Sequence, residues 1–270
     1  MAEEWLKATS RLLKPARVDS SLPNVARVWN FLIGGRDNFE ADRRAARQLL
    51  AASPVMEQVA LASRAFLRRT VIYLAAEAGI RQFLDVGTGI PAAGNTHEVA
   101  QAVDPSCRVV YVDNDPVVLT HARAKLRSAA EGATSYIDAD ARDTDTIVAG
   151  ARTTLDLTRP VGVIMIDILN FLEDAGDVLE RTVAALPAGS YLVVTQPVRD
   201  ERLAMAAHRW NQLAAMPVFL RDRAQVERWL AGLDLMAPGV VELPDWRPGP
   251  GDPESPDGLP LLGAVARKNA

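Results

Sequence analysis

The sequence predicts an α/β fold, a doubly wound, seven-stranded, mostly parallel sheet that follows an N-terminal helical cap. Two observations predict it. From residue 81 onward, short apolar runs alternate with amphipathic segments, a pattern typical of a parallel sheet with helices on both faces. The first apolar run leads directly into a glycine turn in the segment FLDVGTGIP at 83–91. A strand followed by such a turn is typical of a nucleotide-like binding site.

The composition is that of an ordinary globular protein. Of the 270 residues, 49% are hydrophobic and 24% are charged, enough for a substantial core. The formal net charge of -4 gives no general affinity for nucleic acid or anionic membranes, so nucleic-acid substrates are disfavoured. The single cysteine, Cys107, excludes an intrachain disulfide and disfavours a zinc site. Without an apolar leader or a membrane span, we expect a cytoplasmic protein.

Three parts are predicted along the chain: an N-terminal segment at 1–20, for which disorder is considered, a helical cap at 21–79 and a core at 80–270.

The cap is predicted to contain two main helices. The first begins at Pro23 and ends at Gly34, and the second has Ser53 as its N-cap and Pro54 in its first turn, and stops at Gly79. The many arginines of this region are interpreted as a solvated helix face; they include Arg43, Arg44, Arg47, Arg68 and Arg69.

The core is predicted to contain seven strands, of which the last two flank an irregular loop and form an antiparallel addition at the sheet edge. In chain order the strands are Gln82 to Val86, Arg108 to Val112, Thr134 to Ile137, Val161 to Ile166, Tyr191 to Thr195, Gly239 to Leu243 and Leu261 to Ala266. Helices are predicted at 115–126, 176–186, 200–215 and 222–231.

The residues around the glycine turn indicate which ligand it binds. Gly87, Gly89 and Ala92 formally satisfy the dinucleotide pattern G-x-G-x-x-G/A, so the glycines alone leave that ligand open. Asp85, however, places a carboxylate before the turn, and Pro91 removes an N–H group. Both changes disfavour a phosphate, which needs N–H groups and positive potential. S-adenosylmethionine has no phosphate and carries an ammonium and a sulfonium group, so the turn favours it over a nicotinamide or a flavin.

Acidic residues follow the first four predicted strands, where ligands of open parallel sheets bind. They are Asp85, Asp113, Asp140 and Asp167. Asp113 is placed to accept hydrogen bonds from a ribose diol. Asp140 is interpreted as a contact of the adenine amino group, the alternative being a helix cap, a role that we assign to Asp143.

Four segments carry a resemblance to a known family. They are ARVWNFLIGGRDNF at 26–39, DVGTGIP at 85–91, VYVDNDP at 110–116 and PGVV at 238–241. The chain is similar to the class I S-adenosylmethionine-dependent methyltransferases, which have a Rossmann-like fold, and more closely to an actinobacterial family first described as a domain of unknown function. The match runs from residue 23 to about 267.

The resemblance implies roles for individual residues. S-adenosylmethionine would be held by Asp85, Gly87, Thr88, Gly89, Asp113, Asn114, Asp140 and Ala141, with Gly35 of the cap over its methyl end. Relatives often have a histidine after the fourth strand, where this chain reads DILN at 167–170. Metal-dependent catechol-type methyltransferases have an Asp-Asn pair after the fifth strand, where this chain has Thr-Gln-Pro at 195–197. No metal site is therefore predicted.

Other residues are candidates for acceptor binding and catalysis. Asp167 is the candidate general base or acceptor-orienting carboxylate. The acceptor is expected against Trp29, Asn30, Phe171, His208 and Trp210, although aromatic residues at helical spacing are also typical of a core. His97 and His121 are interpreted as structural.

The leading hypothesis is a methyltransferase that acts on a small molecule, such as a secondary metabolite. The alternative is an S-adenosylmethionine-binding protein without efficient catalysis, which acts as a sensor or partner module. A nicotinamide oxidoreductase is disfavoured by Asp85 and Pro91. The sequence leaves a homo-oligomer open.

Overall fold

The computed structural model describes residues 19–125, 127–214, 216–254 and 257–269. Of the N-terminal segment predicted at 1–20, residues 1–18 lie outside this range. No helix in the described ranges is long and apolar enough to cross a membrane.

The described part of the chain forms one mixed, mostly parallel sheet of eight strands, in the order β3-β2-β1-β4-β5-β8-β6, with β7 also paired to β8. The bounds are β1 Gln82–Val86, β2 Arg108–Asp113, β3 Ala133–Asp138, β4 Gly162–Met165, β5 Tyr191–Pro197, β6 Asp234–Leu235, β7 Val241–Glu242 and β8 Leu261–Arg267. The first five strands are parallel, and β8 runs antiparallel to β5. The predicted antiparallel edge is therefore confirmed. The sequence missed β6, because two residues are too short for a recognisable pattern.

The helices lie before the sheet and between its strands. Their bounds are α1 Val25–Leu32, α2 Glu40–Ala52, α3 Val55–Ala76, α4 Thr96–Val103, α5 Pro116–Lys125, α6 Thr144–Ala151, α7 Ala175–Ala184, α8 Glu201–Leu213 and α9 Arg223–Trp229. Asp143 caps α6 by accepting a hydrogen bond from the Thr146 N–H group, as predicted.

Two predicted helix starts are wrong. Helix α1 begins at Val25 and not at Pro23, because the side chain of Asn24 accepts hydrogen bonds from the first N–H groups of the helix. Ser53 is not an N-cap. It ends α2, where its backbone N–H donates to the Leu49 carbonyl oxygen.

The sheet is covered on both faces, which explains its continuous apolar strands. Phe83 and Ile164 point to the face on which α3 packs, and Leu84 and Val163 point to the opposite face. Helix α3 therefore packs directly against the sheet. The division between a cap at 21–79 and a core at 80–270 stays a prediction.

Arg69 of α3 is buried, which contradicts its predicted place on a solvated face. Its side chain is 9% exposed. Its Nε donates to the Trp246 carbonyl oxygen at 2.8 Å, and its Nη1 lies 2.7 Å from an Asp252 carboxylate oxygen. The preceding residue, Arg68, is exposed as expected. Arg69 thus fixes the long loop before β8 to the helix.

Candidate active site

A cleft opens at the carboxyl ends of β1, β2 and β4, where the strand order reverses. We call it the strand-end cleft. It brings together most of the predicted cofactor residues with parts of the cap, and its lining includes Ala26, Trp29, Asn30, Arg64, Asp85, Gly87, Thr88, Gly89, Asp113, Asn114, Asp115 and Asp167.

The N–H groups of the glycine turn donate hydrogen bonds to other residues of the protein. Gly87 and Thr88 both donate to the Val112 carbonyl oxygen, at 2.8 and 3.2 Å. Gly89 donates to Asp113 Oδ2 at 2.9 Å. Gly87 has a φ of 76°, and a Cβ there would lie 2.7 Å from the side chain of Ile168, so glycine is required. The turn offers none of these three N–H groups to a phosphate.

The start of α4, the next helix, is also closed to anions. Its residue Glu98 accepts hydrogen bonds from the N–H groups of Gly94 and Asn95, at 2.8 and 3.1 Å. This carboxylate compensates the positive end of the helix dipole, which a pyrophosphate would otherwise occupy. The structure thus gives a second reason to disfavour a dinucleotide.

Asp85 and Asp113 are carboxylates with little access to water. Burial raises the pKa of each to about 6. Hydrogen bonds oppose this rise: Thr96 Oγ1 donates to Asp85 at 2.5 Å, and backbone N–H groups donate to Asp113. Both groups are ionised at neutral pH, where a cationic or hydroxyl-rich ligand replaces their lost hydration.

Arg64 of α3 places a positive charge in the same cleft. Its Nη2 donates to the carbonyl oxygens of Ala93 and Gly94, at 3.0 and 2.8 Å. The guanidinium charge lowers the pKa values of Asp85 and Asp167, against the larger effect of burial. The acidic residues predicted at the strand ends therefore share the cleft with a cation that the sequence analysis missed. Nothing in the local pattern distinguishes Arg64 from neighbouring helix arginines.

Asp167 follows β4 in a left-handed backbone conformation, with a φ of 57°. The hydroxyl of Thr195 accepts a hydrogen bond from its backbone N–H at 2.8 Å and donates to its Oδ1 at 3.1 Å. Burial raises the pKa of Asp167 to about 6, while the hydrogen bond from Thr195 and the nearby charge of Arg64 oppose the rise. The carboxylate is thus a weak base at neutral pH, in a fixed position.

A second space, the apolar cavity, adjoins the strand-end cleft between the cap and α8. Its volume is about 80 Å³. Of the predicted acceptor residues, Trp29, Phe171 and Trp210 line it together with Asp167. The rings of Phe171 and Trp210 meet edge to face, with centroids 6.2 Å apart. Three aromatic side chains therefore line this cavity, and their role in acceptor binding stays a prediction.

Three other predicted residues have different surroundings. Asn30 lines the strand-end cleft, but its Oδ1 accepts hydrogen bonds from the Asp37 N–H and from Asn38 Nδ2, at 3.0 and 2.9 Å. Gly35 packs on Asn30, whose side chain would be 2.3 Å from an added Cβ. His208 is exposed, its Nε2 lies 2.9 Å from the Gln212 amide nitrogen, and it is not among the described residues that line either space.

Asp140 and Ala141 line another cleft beside Asn114, next to the strand-end cleft. The Asp140 carboxylate accepts hydrogen bonds from Nε and Nη2 of Arg142, at 2.8 and 2.7 Å. These bonds are the main reason why the pKa of Asp140 is lowered. An adenine contact would have to share this carboxylate with Arg142. That role stays a prediction.

Within the described ranges, no group of three or more His, Cys, Asp or Glu residues is arranged to hold a metal ion.

Comparison with known proteins identifies relatives over nearly the whole chain. A family model for S-adenosyl methyltransferases matches residues 12–269. A DUF574 family protein from Streptomyces avermitilis is 40% identical, with a TM-score of 0.88 over 93% of this chain and 100% of that one. A candidate methyltransferase from Thermobifida fusca is 38% identical, with a TM-score of 0.85 over 96% of this chain and 100% of that one. Comparison with curated proteins gives no match.

Proposed function

The chain belongs to the S-adenosyl methyltransferase family, and from this premise we propose that it methylates a small-molecule acceptor, such as a secondary metabolite, held in the apolar cavity. One observation carries the proposal. Asp167, Trp29 and Phe171 line both the strand-end cleft and the apolar cavity. A cofactor in the cleft and an acceptor in the cavity would therefore meet at Asp167.

The charges of the strand-end cleft fit S-adenosylmethionine. We assign Asp85 to its ammonium group and Arg64 to its carboxylate, since each pair gains charge-assisted hydrogen bonds. Asp113 suits the ribose diol, because a carboxylate accepts two hydrogen bonds. The turn at Gly87 and Gly89 would let the ligand lie against the main chain.

The chemistry requires few groups from the protein. When bound, S-adenosylmethionine supplies a methyl group whose bond to sulfur breaks, leaving its electron pair on sulfur, as the acceptor's lone pair forms the new bond. We assign Asp167 to take the acceptor's proton on its carboxylate, for which a pKa of about 6 is suitable near neutral pH. The aromatic walls would exclude water and orient the acceptor, and positioning is a large part of such catalysis.

Two measurements test the proposal. Calorimetry should show that S-adenosylmethionine binds and that NADH does not. Incubation with a panel of small-molecule acceptors should then yield S-adenosylhomocysteine in proportion to methylated product. Binding without turnover on any acceptor would favour the alternative, a cofactor-binding protein without efficient catalysis. Failure of the protein to bind S-adenosylmethionine would contradict both hypotheses.

A further inference from the structure

Asn170 carries a buried hydrogen-bond acceptor that the fold leaves unused. It lies in the 3-10 turn Leu169–Phe171 after β4 and is 6% exposed. Its Oδ1 has no hydrogen-bond partner among the described residues. An unpaired buried amide oxygen is costly, because it has lost its water without gaining another donor. A ligand with a suitably placed donor would remove this cost.

The side chain of Asn170 borders the apolar cavity. Its Oδ1 is itself closed to water, so the amide must turn for a molecule in that cavity to supply a donor. Among the described residues that line the cavity, Asp167 and Asn170 are the two whose side chains carry oxygen. Trp210, which also lines it, uses its indole N–H on the Met216 carbonyl oxygen at 2.7 Å. The remaining walls are apolar and come mainly from α1, α2, α3 and α8, with further residues from β5, β8 and the segment between α8 and α9; they include Val28, Leu49, Val59 and Ala206.

This distribution of polar groups restricts the acceptor. Apolar walls reject sugars and zwitterions, whose several polar groups would lose water without replacement. Trp29, Phe171 and Trp210 favour edge-to-face and offset-stacked partners, which suits a flat ring system. Polar groups of the ligand are tolerated at one edge only, where Asp167 and Asn170 lie.

We propose that the acceptor is a ring-bearing, largely apolar molecule and that, besides the group whose proton Asp167 takes, it has a second hydroxyl or N–H group at the same edge that donates a hydrogen bond to Asn170 Oδ1. The inference rests on the proposed methyltransferase function and narrows its substrate class. Asn170 is thereby a specificity-determining residue.

The test compares two probes that have nearly the same shape. 1-Naphthol and 1-methylnaphthalene differ by a hydroxyl in place of a methyl group, and their binding is measured by calorimetry with S-adenosylhomocysteine present. We expect 1-naphthol to bind roughly tenfold more tightly, since a donor to a buried acceptor is worth this much. In Asn170→Leu, the affinity for 1-naphthol should fall by about the same factor, while that for 1-methylnaphthalene should not fall.

Two alanines of α8 provide a matched pair of controls. Ala206 is buried in the cavity wall, whereas Ala204 is exposed on the same helix. Ala206→Leu should weaken the binding of both naphthalene probes, and Ala204→Leu should weaken the binding of neither. All variants should keep wild-type affinity for S-adenosylhomocysteine, which also verifies that they are folded.

Equal affinities for the two probes, or binding of glucose in preference to both, would overturn this inference. If the protein still bound S-adenosylmethionine, the proposed function would remain intact. Failure to bind S-adenosylmethionine would remove the proposed function and this inference with it.

Discussion

The Thr195 hydroxyl bridges two atoms of Asp167, since it accepts from the backbone N–H and donates to the carboxylate. The left-handed φ of 57° at Asp167 is uncommon for a residue with a Cβ and needs support from the surrounding structure. The side chain from β5 gives that support. It holds the carboxylate at the rim shared by the strand-end cleft and the apolar cavity.

Replacing Asp167 should separate turnover from cofactor binding. Asp167→Asn keeps the shape of the side chain but cannot accept a proton, so we expect kcat to fall roughly 100-fold or more. The dissociation constant for S-adenosylmethionine should stay within a few-fold of wild type. Asp138→Asn, at the exposed end of β3, is the control. Full methyl transfer by Asp167→Asn would refute the assigned role.

Thr195 is expected to act through Asp167 as a positioning residue. Thr195→Val removes the hydroxyl, so kcat should fall by about tenfold. The midpoint of the pH–rate profile should also move upward, because the lost donor stabilises the ionised carboxylate. Thr195→Ser should restore both. An unchanged midpoint in Thr195→Val would show that the bridge does not tune Asp167.

Arg64→Met should weaken the binding of ligands that carry the methionine carboxylate. S-adenosylhomocysteine should lose affinity by roughly 10-fold to 100-fold, the value of a charge-assisted hydrogen bond. 5′-Methylthioadenosine, which lacks the amino-acid part, should bind nearly as before. Arg68→Met on the exposed face of the same helix should change neither. Equal losses for both ligands would indicate a general structural role for Arg64.

Because of Asp85, S-adenosylmethionine affinity and the free energy of unfolding should depend on pH in opposite directions. Its pKa is raised to about 6, so S-adenosylmethionine affinity should decrease below pH 6 as the carboxylate becomes protonated. Between about pH 4 and 6 the folded protein holds this proton more tightly than the unfolded chain, so the Asp85 contribution to the free energy of unfolding decreases as pH rises. Chemical denaturation of wild type and Asp85→Asn across this range isolates that contribution. A difference that stays constant with pH would contradict the raised pKa.

Arg69→Met should destabilise the fold. The substitution removes the ion pair with Asp252 and the guanidinium hydrogen bonds to the carbonyl oxygens of Leu243 and Trp246. We expect a loss of about 3 kcal/mol in the free energy of unfolding, as for other broken buried pairs. Thermal denaturation against Arg68→Met measures it. Equal melting temperatures for the two variants would contradict the structural role of Arg69.

The local sequence pattern was sufficient to predict the main strands and the residues at their ends. The bounds of β1 were predicted without error, and the strand-end positions of Asp85, Asp113 and Asp167 followed from the ends of apolar runs. These features depend on residues next to each other in the chain, because side-chain alternation and glycine turns are local properties of the backbone. The preference for S-adenosylmethionine over a dinucleotide also came from adjacent residues, Asp85 and Pro91.

Tertiary packing decided which side chains meet. Arg64 and Arg69 belong to one arginine-rich helix, yet one enters the strand-end cleft and the other holds a loop about 180 residues away in the chain. Asn170, whose Oδ1 is unpaired among the described residues, lies beside a cavity that the cap and α8 help to line. Such contacts join segments that are distant in sequence, and their partners are set by how helices dock on the sheet. The sequence by itself therefore determined the fold and the cofactor, whereas the tertiary structure decided the charge balance of the cleft and the chemistry of the acceptor cavity.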